Sequence, residues 1–163
     1  MSLSFVHGNL FDGRFDALVN PVNCVGVMGA GLALQFKWRF PENFDAYRLA
    51  CQDRRLQPGR VFLFRTGSSN PCFIVNFPTK LHFRNPSKLR YVENGLKDLR
   101  GRIPEAGIKS IAVPPLGCGL GGLRWDDVRP LLEKWLSDVP GCDATAFLPK
   151  NVLQETSAER IIR

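Results

Sequence analysis

Histidine and orderly cysteine spacing are what this chain has least of. Its only histidines are His7 and His82, and its five cysteines, Cys24, Cys51, Cys72, Cys118 and Cys142, include no CxxC pair. Zinc centres draw on clustered thiolates and imidazoles at short spacings, so no metal site is expected. An odd cysteine count without a disulfide-like framework points to a reduced, cytoplasmic protein. No apolar run approaches the ~20 residues that cross a bilayer. The opening MSLSFVHGNLF has neither the basic stretch nor the long apolar stretch of a signal peptide. Membrane association is therefore not expected. Gly8 to Gly13 lacks a GxGxxG pattern and no Walker lysine motif occurs, which sets aside the Rossmann and P-loop classes.

Acidic residues are also in deficit, 15 against 22 Lys and Arg, giving a formal charge of +7. A basic excess of this size favours polyanionic partners, nucleic acid above all. It is concentrated in one segment, where Lys80, Arg84, Lys88 and Arg90 accompany His82 and Phe83. The 163 residues are 44% hydrophobic, enough for one domain with a substantial core.

Glycine is what the chain has in the right places. Pro114 to Trp125 reads PPLGCGLGGLRW, entered by the apolar run Ser110–Val113 and left by a helical pattern from Trp125 to Ser137. Gly117, Gly119, Gly121 and Gly122 allow backbone N–H groups to approach an anion without Cβ atoms in the way. A second loop, Gly26 to Gly31, lies between another strand and another helix. Two such loops fit a ligand carrying a diphosphate and gripped from both sides. Cys118 in the first loop is either a nucleophile or a small residue packed in a tight turn.

Taken in order, Leu3–His7 reads as a strand, with Asn9 at its exit as a ligand contact or a turn residue. Ala17–Asn20 is a buried strand that breaks at Pro21, followed by Asn23. Helices are expected over 32–37 and from Pro41 to about Arg54. Val61–Phe64 and Cys72–Phe77 are continuous apolar runs, as in strands buried on both faces. Pro78-Thr79-Lys80 closes the second of these, leaving Lys80 either near a ligand cleft or on the surface. A helix over Lys88–Gly101, a turn at Gly107 and a last strand near Ala144–Leu148 complete an α/β three-layer sandwich. Lys150 to Arg163 reads as a tail or the start of a linker.

Three ordered segments, LVNPVNCVGVMGAGLALQFK, NFPTK and IAVPPLGCGLGGLRW, resemble the macrodomain family of ADP-ribose binders. Within it they are most similar to the DarG antitoxin branch, related to human terminal ADP-ribose glycohydrolase. The resemblance implies a macrodomain over residues 1–149, with a mixed, mostly parallel sheet of about six strands between helices. It implies an ADP-ribose site made of Asn9, Leu10, Asn20, Asn23, Val27, Met28, Gly29, Ala30, Gly31 and Thr79 with Gly117, Cys118, Gly119, Leu120, Gly121 and Gly122. Asn9 falls where many macrodomains carry an aspartate for the adenine amino group. A neutral amide there accepts the same bond without charge assistance.

Lys80 matches the catalytic lysine of this branch. The terminal glycohydrolase pairs that lysine with an aspartate, whereas the corresponding position here is Gly121, so the paired mechanism does not carry over whole. The activity implied is removal of ADP-ribose from thymine in DNA, reversing a DarT-type toxin. Lys80 would act either as an ammonium at the departing base or as an amine attacking the anomeric carbon. His82 is a second candidate for proton transfer, since imidazole exchanges protons near neutrality. Phe83 is placed to stack on a base, and Arg84, Lys88 and Arg90 to meet phosphates.

The implied partners are ADP-ribosylated single-stranded DNA and a DarT-type toxin, the latter through a C-terminal region outside this chain. ADP-ribose is ligand or product and no cofactor is implied. A monomer in the bacterial cytoplasm is expected. A reader that binds ADP-ribose without cleaving it is the alternative, and Lys80 is the residue that such a reader does not need.

Overall fold

Continuous apolar runs in the middle of the sequence become the middle of a sheet. The computed structural model describes residues 2–152. The strands are β1 (Ser2–Val6), β2 (Ala17–Val22), β3 (Phe62–Arg65), β4 (Phe73–Pro78), β5 (Ser110–Val113) and β6 (Asp143–Phe147). The helices are α1 (Gly31–Arg39), α2 (Pro41–Gln52), α3 (Leu89–Ala106) and α4 (Trp125–Leu136), with one 3₁₀ turn at Leu10–Asp12. They form a six-stranded sheet in the order β1-β6-β5-β2-β4-β3. All pairings are parallel except β3 with β4. The mostly parallel α/β sandwich expected from the sequence is therefore present.

Every residue of β4 is buried, which is what a central parallel strand covered on both faces requires. β3, expected to be equally buried, is instead a half-exposed antiparallel edge strand. Its apolar content reflects one covered face. The expected break at Pro21 does not occur, and β2 runs on to Val22. β5 pairs with β2 only at Ala17 and Leu18, so Pro21 lies where one side of the strand has no neighbour and a missing N–H disturbs nothing.

Helix α3 continues past Gly101, where the sequence suggested a stop, because Leu99 and Ile103 keep its apolar stripe in the core. It ends at Gly107, whose left-handed φ of 71° lets its N–H reach the Ile103 and Pro104 carbonyls. The stripe packs with Leu132 and Leu136 of α4 and with Val75 and Phe77 of β4 in one cluster. Gly95 sets how closely α3 lies on the sheet, since a Cβ there would collide with the Phe77 ring. Phe36 and Tyr47, from α1 and α2, belong to two further buried clusters, with Leu18 and Ile74 in the first and Val22 in the second. Five strands point the same way, so the loops after β1, β2, β4, β5 and β6 gather at one edge of the sheet. Among the described residues, no helix is long and apolar enough to cross a membrane. Most of the expected tail, from 153 onward, lies outside the described residues.

Candidate functional site at the C-terminal edge of the sheet

The first loop is built on Asn23 at the end of β2. Its Oδ1 accepts from the N–H groups of Val25 (3.1 Å) and Val27 (3.4 Å), and its Nδ2 donates to the Val27 carbonyl at 2.8 Å. The Tyr47 hydroxyl lies 2.8 Å from both the Asn23 carbonyl and its Oδ1. An amide this committed shapes the loop more than it reaches for a ligand. Burial and the neighbouring Cys51 push the Tyr47 phenol well above its ordinary range, so it stays a protonated donor.

That loop delivers the chain to α1 without a side-chain cap. The N-cap is Ala30, no side chain caps it, and its first turn carries no acid. The first N–H groups of a helix have no internal acceptor, and the dipole there favours negative charge. Met28 packs inward, whereas Gly29, Ala30 and Gly31 are exposed. Gly31 takes a φ of 57°, which glycine adopts without strain.

The second loop begins where β5 ends. The N–H groups of Cys118, Gly122 and Leu123 are taken up within the loop, by Pro115, Gly119 and Gly117. Among the described residues, those of Gly119, Leu120 and Gly121 make no hydrogen bond. Helix α4 follows, but Asp126 and Asp127 already occupy its first turn. The donors on this side are loop amides, and the helix start contributes less than the sequence pattern suggested. The two loops face each other, because a Cβ on Gly31 would sit 3.4 Å from Leu120 Cδ1. Burial raises the Cys118 thiol to about 11, and its Sγ points to the Leu116 carbonyl at 3.6 Å. It is a packed thiol and not an activated nucleophile.

Lys80 stands just beyond β4 and is half-buried. Among the described residues no carboxylate pairs with it. Its loop is tied down by the Thr79 N–H to the Val22 carbonyl (3.0 Å) and the Cys24 N–H to the Leu81 carbonyl (2.9 Å). His82 Nδ1 accepts the Arg84 N–H at 3.1 Å, so the neutral ring carries its proton on Nε2 and offers a donor. The His82 and Phe83 rings lie 4.1 Å apart, with the Arg84 guanidinium 5.6 Å from Phe83. Lys88 and Arg90 flank Tyr91 at 5.6 and 5.3 Å. The basic and aromatic residues expected to meet DNA are thus exposed or half-buried, in one group around Phe83 and another around Tyr91.

Other expected contacts turn inward. Asn20 is fully buried and donates to Asn76 Oδ1 at 3.3 Å, while Leu10 and Thr79 are nearly as enclosed. Their side chains are buried in the interior, Asn20 on β2, Leu10 at the start of the 3₁₀ turn and Thr79 just past β4. Asn9 Oδ1 already accepts the Phe11 N–H at 2.9 Å as the cap of the 3₁₀ turn. Only its second lone pair and its Nδ2 remain for a ligand. Sequence reasoning missed Tyr47 and Ser87, which hold site loops in place, and Asn43 and Asn76, which join the strands and helix beneath them. Asn76 alone left a signal, as a polar residue inside an apolar run.

The Macro domain family model matches residues 19–132. The chain belongs to the macrodomain family. This macrodomain is 49% identical over 148 residues to a DNA ADP-ribosyl glycohydrolase of Thermus aquaticus, covering 90% of the chain and 41% of that relative. It therefore spans less than half the length of that relative. It superposes on the macrodomain of Mycobacterium tuberculosis DarG with a TM-score of 0.87 at 48% identity, covering 91% of this chain and 98% of that one. It also matches Thermosipho africanus DarTG, solved in complex with ADP-ribose, with a TM-score of 0.87 at 35% identity, over 94% of this chain and 43% of that one.

Proposed function

We propose that this macrodomain hydrolyses the bond joining ADP-ribose to thymine in single-stranded DNA and serves as the antitoxin to a DarT-type transferase. The observation that carries this reading is the position of Lys80, at the end of a central strand beside two loops that offer unused N–H groups to a diphosphate. A module that only binds ADP-ribose has no use for a cation there. The names and identities of the Thermus and Mycobacterium relatives support the same activity, and the Thermosipho transferase–glycohydrolase fusion protein supports the pairing with a toxin.

In this reading the Gly29–Gly31 and Gly119–Gly121 amides hold the diphosphate and fix the distal ribose near Lys80. The bond from the anomeric carbon to the base nitrogen breaks with its electron pair leaving on the base. Positive charge spreads over the sugar, and the Lys80 ammonium meets the negative charge on the base and donates a proton to it. Water adds to the anomeric carbon and its released proton restores the Lys80 ammonium, so ADP-ribose and unmodified thymine are the products. No cofactor enters. His82 contributes an Nε2–H donor near the leaving base, and Phe83, Arg84, Lys88 and Arg90 carry the strand. The protein acts in this way as a monomer in the bacterial cytoplasm.

The test is release of ADP-ribose from a thymidine-modified single-stranded oligonucleotide by the wild type and by Lys80→Ala. Free ADP-ribose titrated by calorimetry checks that the variant's cleft is intact. Release by the wild type alone is expected, with both proteins binding. Binding by both and release by neither would make the protein a reader. Equal release from both would remove Lys80 from the chemistry.

A further inference from the structure

Ser87 is a buried polar residue at the far end of the Lys80 loop, only 6% exposed, and the chemistry above makes no use of it. Its Oγ–H donates to Thr79 Oγ1 at 3.2 Å, and the next N–H, that of Lys88, donates to the Thr79 carbonyl at 3.1 Å. These two bonds close the base of the loop, one residue from Lys80. The Ser87 N–H then donates to the Gly121 carbonyl at 2.9 Å, which fastens the loop to the glycine-rich segment opposite.

The glycine-rich segment is shaped to receive this serine. A Cβ on Gly121 would collide with Ser87 Oγ and lie 2.8 Å from Ser87 Cβ and 2.7 Å from the Gly117 carbonyl. A Cβ on Gly117 would come within 3.1 Å of Ser87 Cβ. A Cβ essentially never approaches its neighbours as closely as one on Gly121 would, so Gly121 stays bare between the Ser87 side chain and the Gly117 carbonyl. No side chain fits there while the serine is in place.

We infer that Ser87 is a positioning residue that locks the Lys80 loop onto the diphosphate loop and thereby fixes the lysine relative to the bound ADP-ribose. The role in turnover rests on the hydrolase reading, whereas the lock itself does not. Ser87 touches no substrate, since its hydroxyl is spent on Thr79 inside the fold. Its effect comes through geometry, because a misplacement of about 1 Å in a reacting group costs roughly a hundredfold in rate.

Two variants remove opposite ends of the lock with little change in volume: Ser87→Ala and Thr79→Val. Each is expected to lower kcat roughly tenfold, while KM and the Kd for free ADP-ribose stay within about twofold. The double variant should be no slower than either single one, as expected when both remove the same contact. Amide hydrogen exchange provides a readout that needs no activity, with the Ser87 and Lys88 N–H groups exchanging at least about fivefold faster in Ser87→Ala than in wild type. Unchanged exchange, or additive kcat losses accompanied by weaker ADP-ribose binding, would overturn the lock. If the wild type released no ADP-ribose, the hydrolase reading would fall while exchange still decided the lock.

Discussion

Asn76 on β4 and Asn43 on α2 meet amide to amide, each donating to the other's oxygen, at 2.8 and 3.1 Å. Asn76 also accepts from Asn20 of β2 at 3.3 Å and donates to the Phe62 carbonyl of β3 at 3.3 Å. All three asparagines are fully buried. The network joins three strands and a helix immediately before the turn that presents Lys80. Replacing Asn76 by alanine leaves the Asn43 amide without a partner and Asn20 Nδ2 with only the Met28 sulfur at 3.8 Å, in an apolar interior. An unmet buried polar group costs about 1–3 kcal/mol, so Asn76→Ala is expected to lose roughly 3 kcal/mol of stability in urea unfolding. A loss below about 1 kcal/mol would mean that the freed amides find other partners.

This network also marks what the sequence made legible. Ser110–Val113, Trp125 and Gly107 stand where periodicity and glycine punctuation placed them, and the two glycine loops approach each other at Gly31 and Leu120. The polar residue inside the apolar run of β4 was visible, but its partner was not, because Asn43 sits in a helix whose pattern gives no sign of a buried amide. Ser87 was harder still. Its importance arises from contact with Gly121, and nothing local to an ordinary serine in a basic loop records a distant glycine. The antiparallel direction of β3 and the passage of β2 through Pro21 were hidden for a related reason. Both depend on which neighbours a strand has, a property of the sheet and not of the strand.

The exposed cations that follow Lys80 in the chain make a quantitative prediction. Arg84 and Lys88 are exposed and, among the described residues, neither is paired with a carboxylate, so each is free to displace counterions from a DNA strand. For single strands the dependence of log K on log salt changes by about 0.7 for each phosphate contact. Arg84→Ala or Lys88→Ala should weaken binding of a thymine-rich single strand and flatten its salt slope by about that amount. Fluorescence anisotropy across a salt series measures both. A variant with wild-type slope lies outside the DNA footprint.

Glu93 gives a prediction for pH. Its Oε2 accepts from the Trp135 indole N–H and from Lys134, both at 3.0 Å, and so joins α3 to α4. The indole bond first, then the lysine, hold its carboxyl below the ordinary carboxylate range. A lowered folded-state pKa means that the unfolded chain takes up a proton first as pH falls. The stabilisation is complete above the unfolded value of about 4.3 and is lost as pH drops through the folded value. Glu93→Gln keeps an acceptor for the indole but discards the charge. Its Tm should lie below that of the wild type at pH 7 by a small amount, on the order of 2 °C, because the site is solvent-exposed. The two melting curves should converge as pH falls below the unfolded value and through the folded one. A gap of constant size from pH 7 to pH 3 would show that the variant disturbs packing and that the Glu93 charge contributes nothing to the α3–α4 contact.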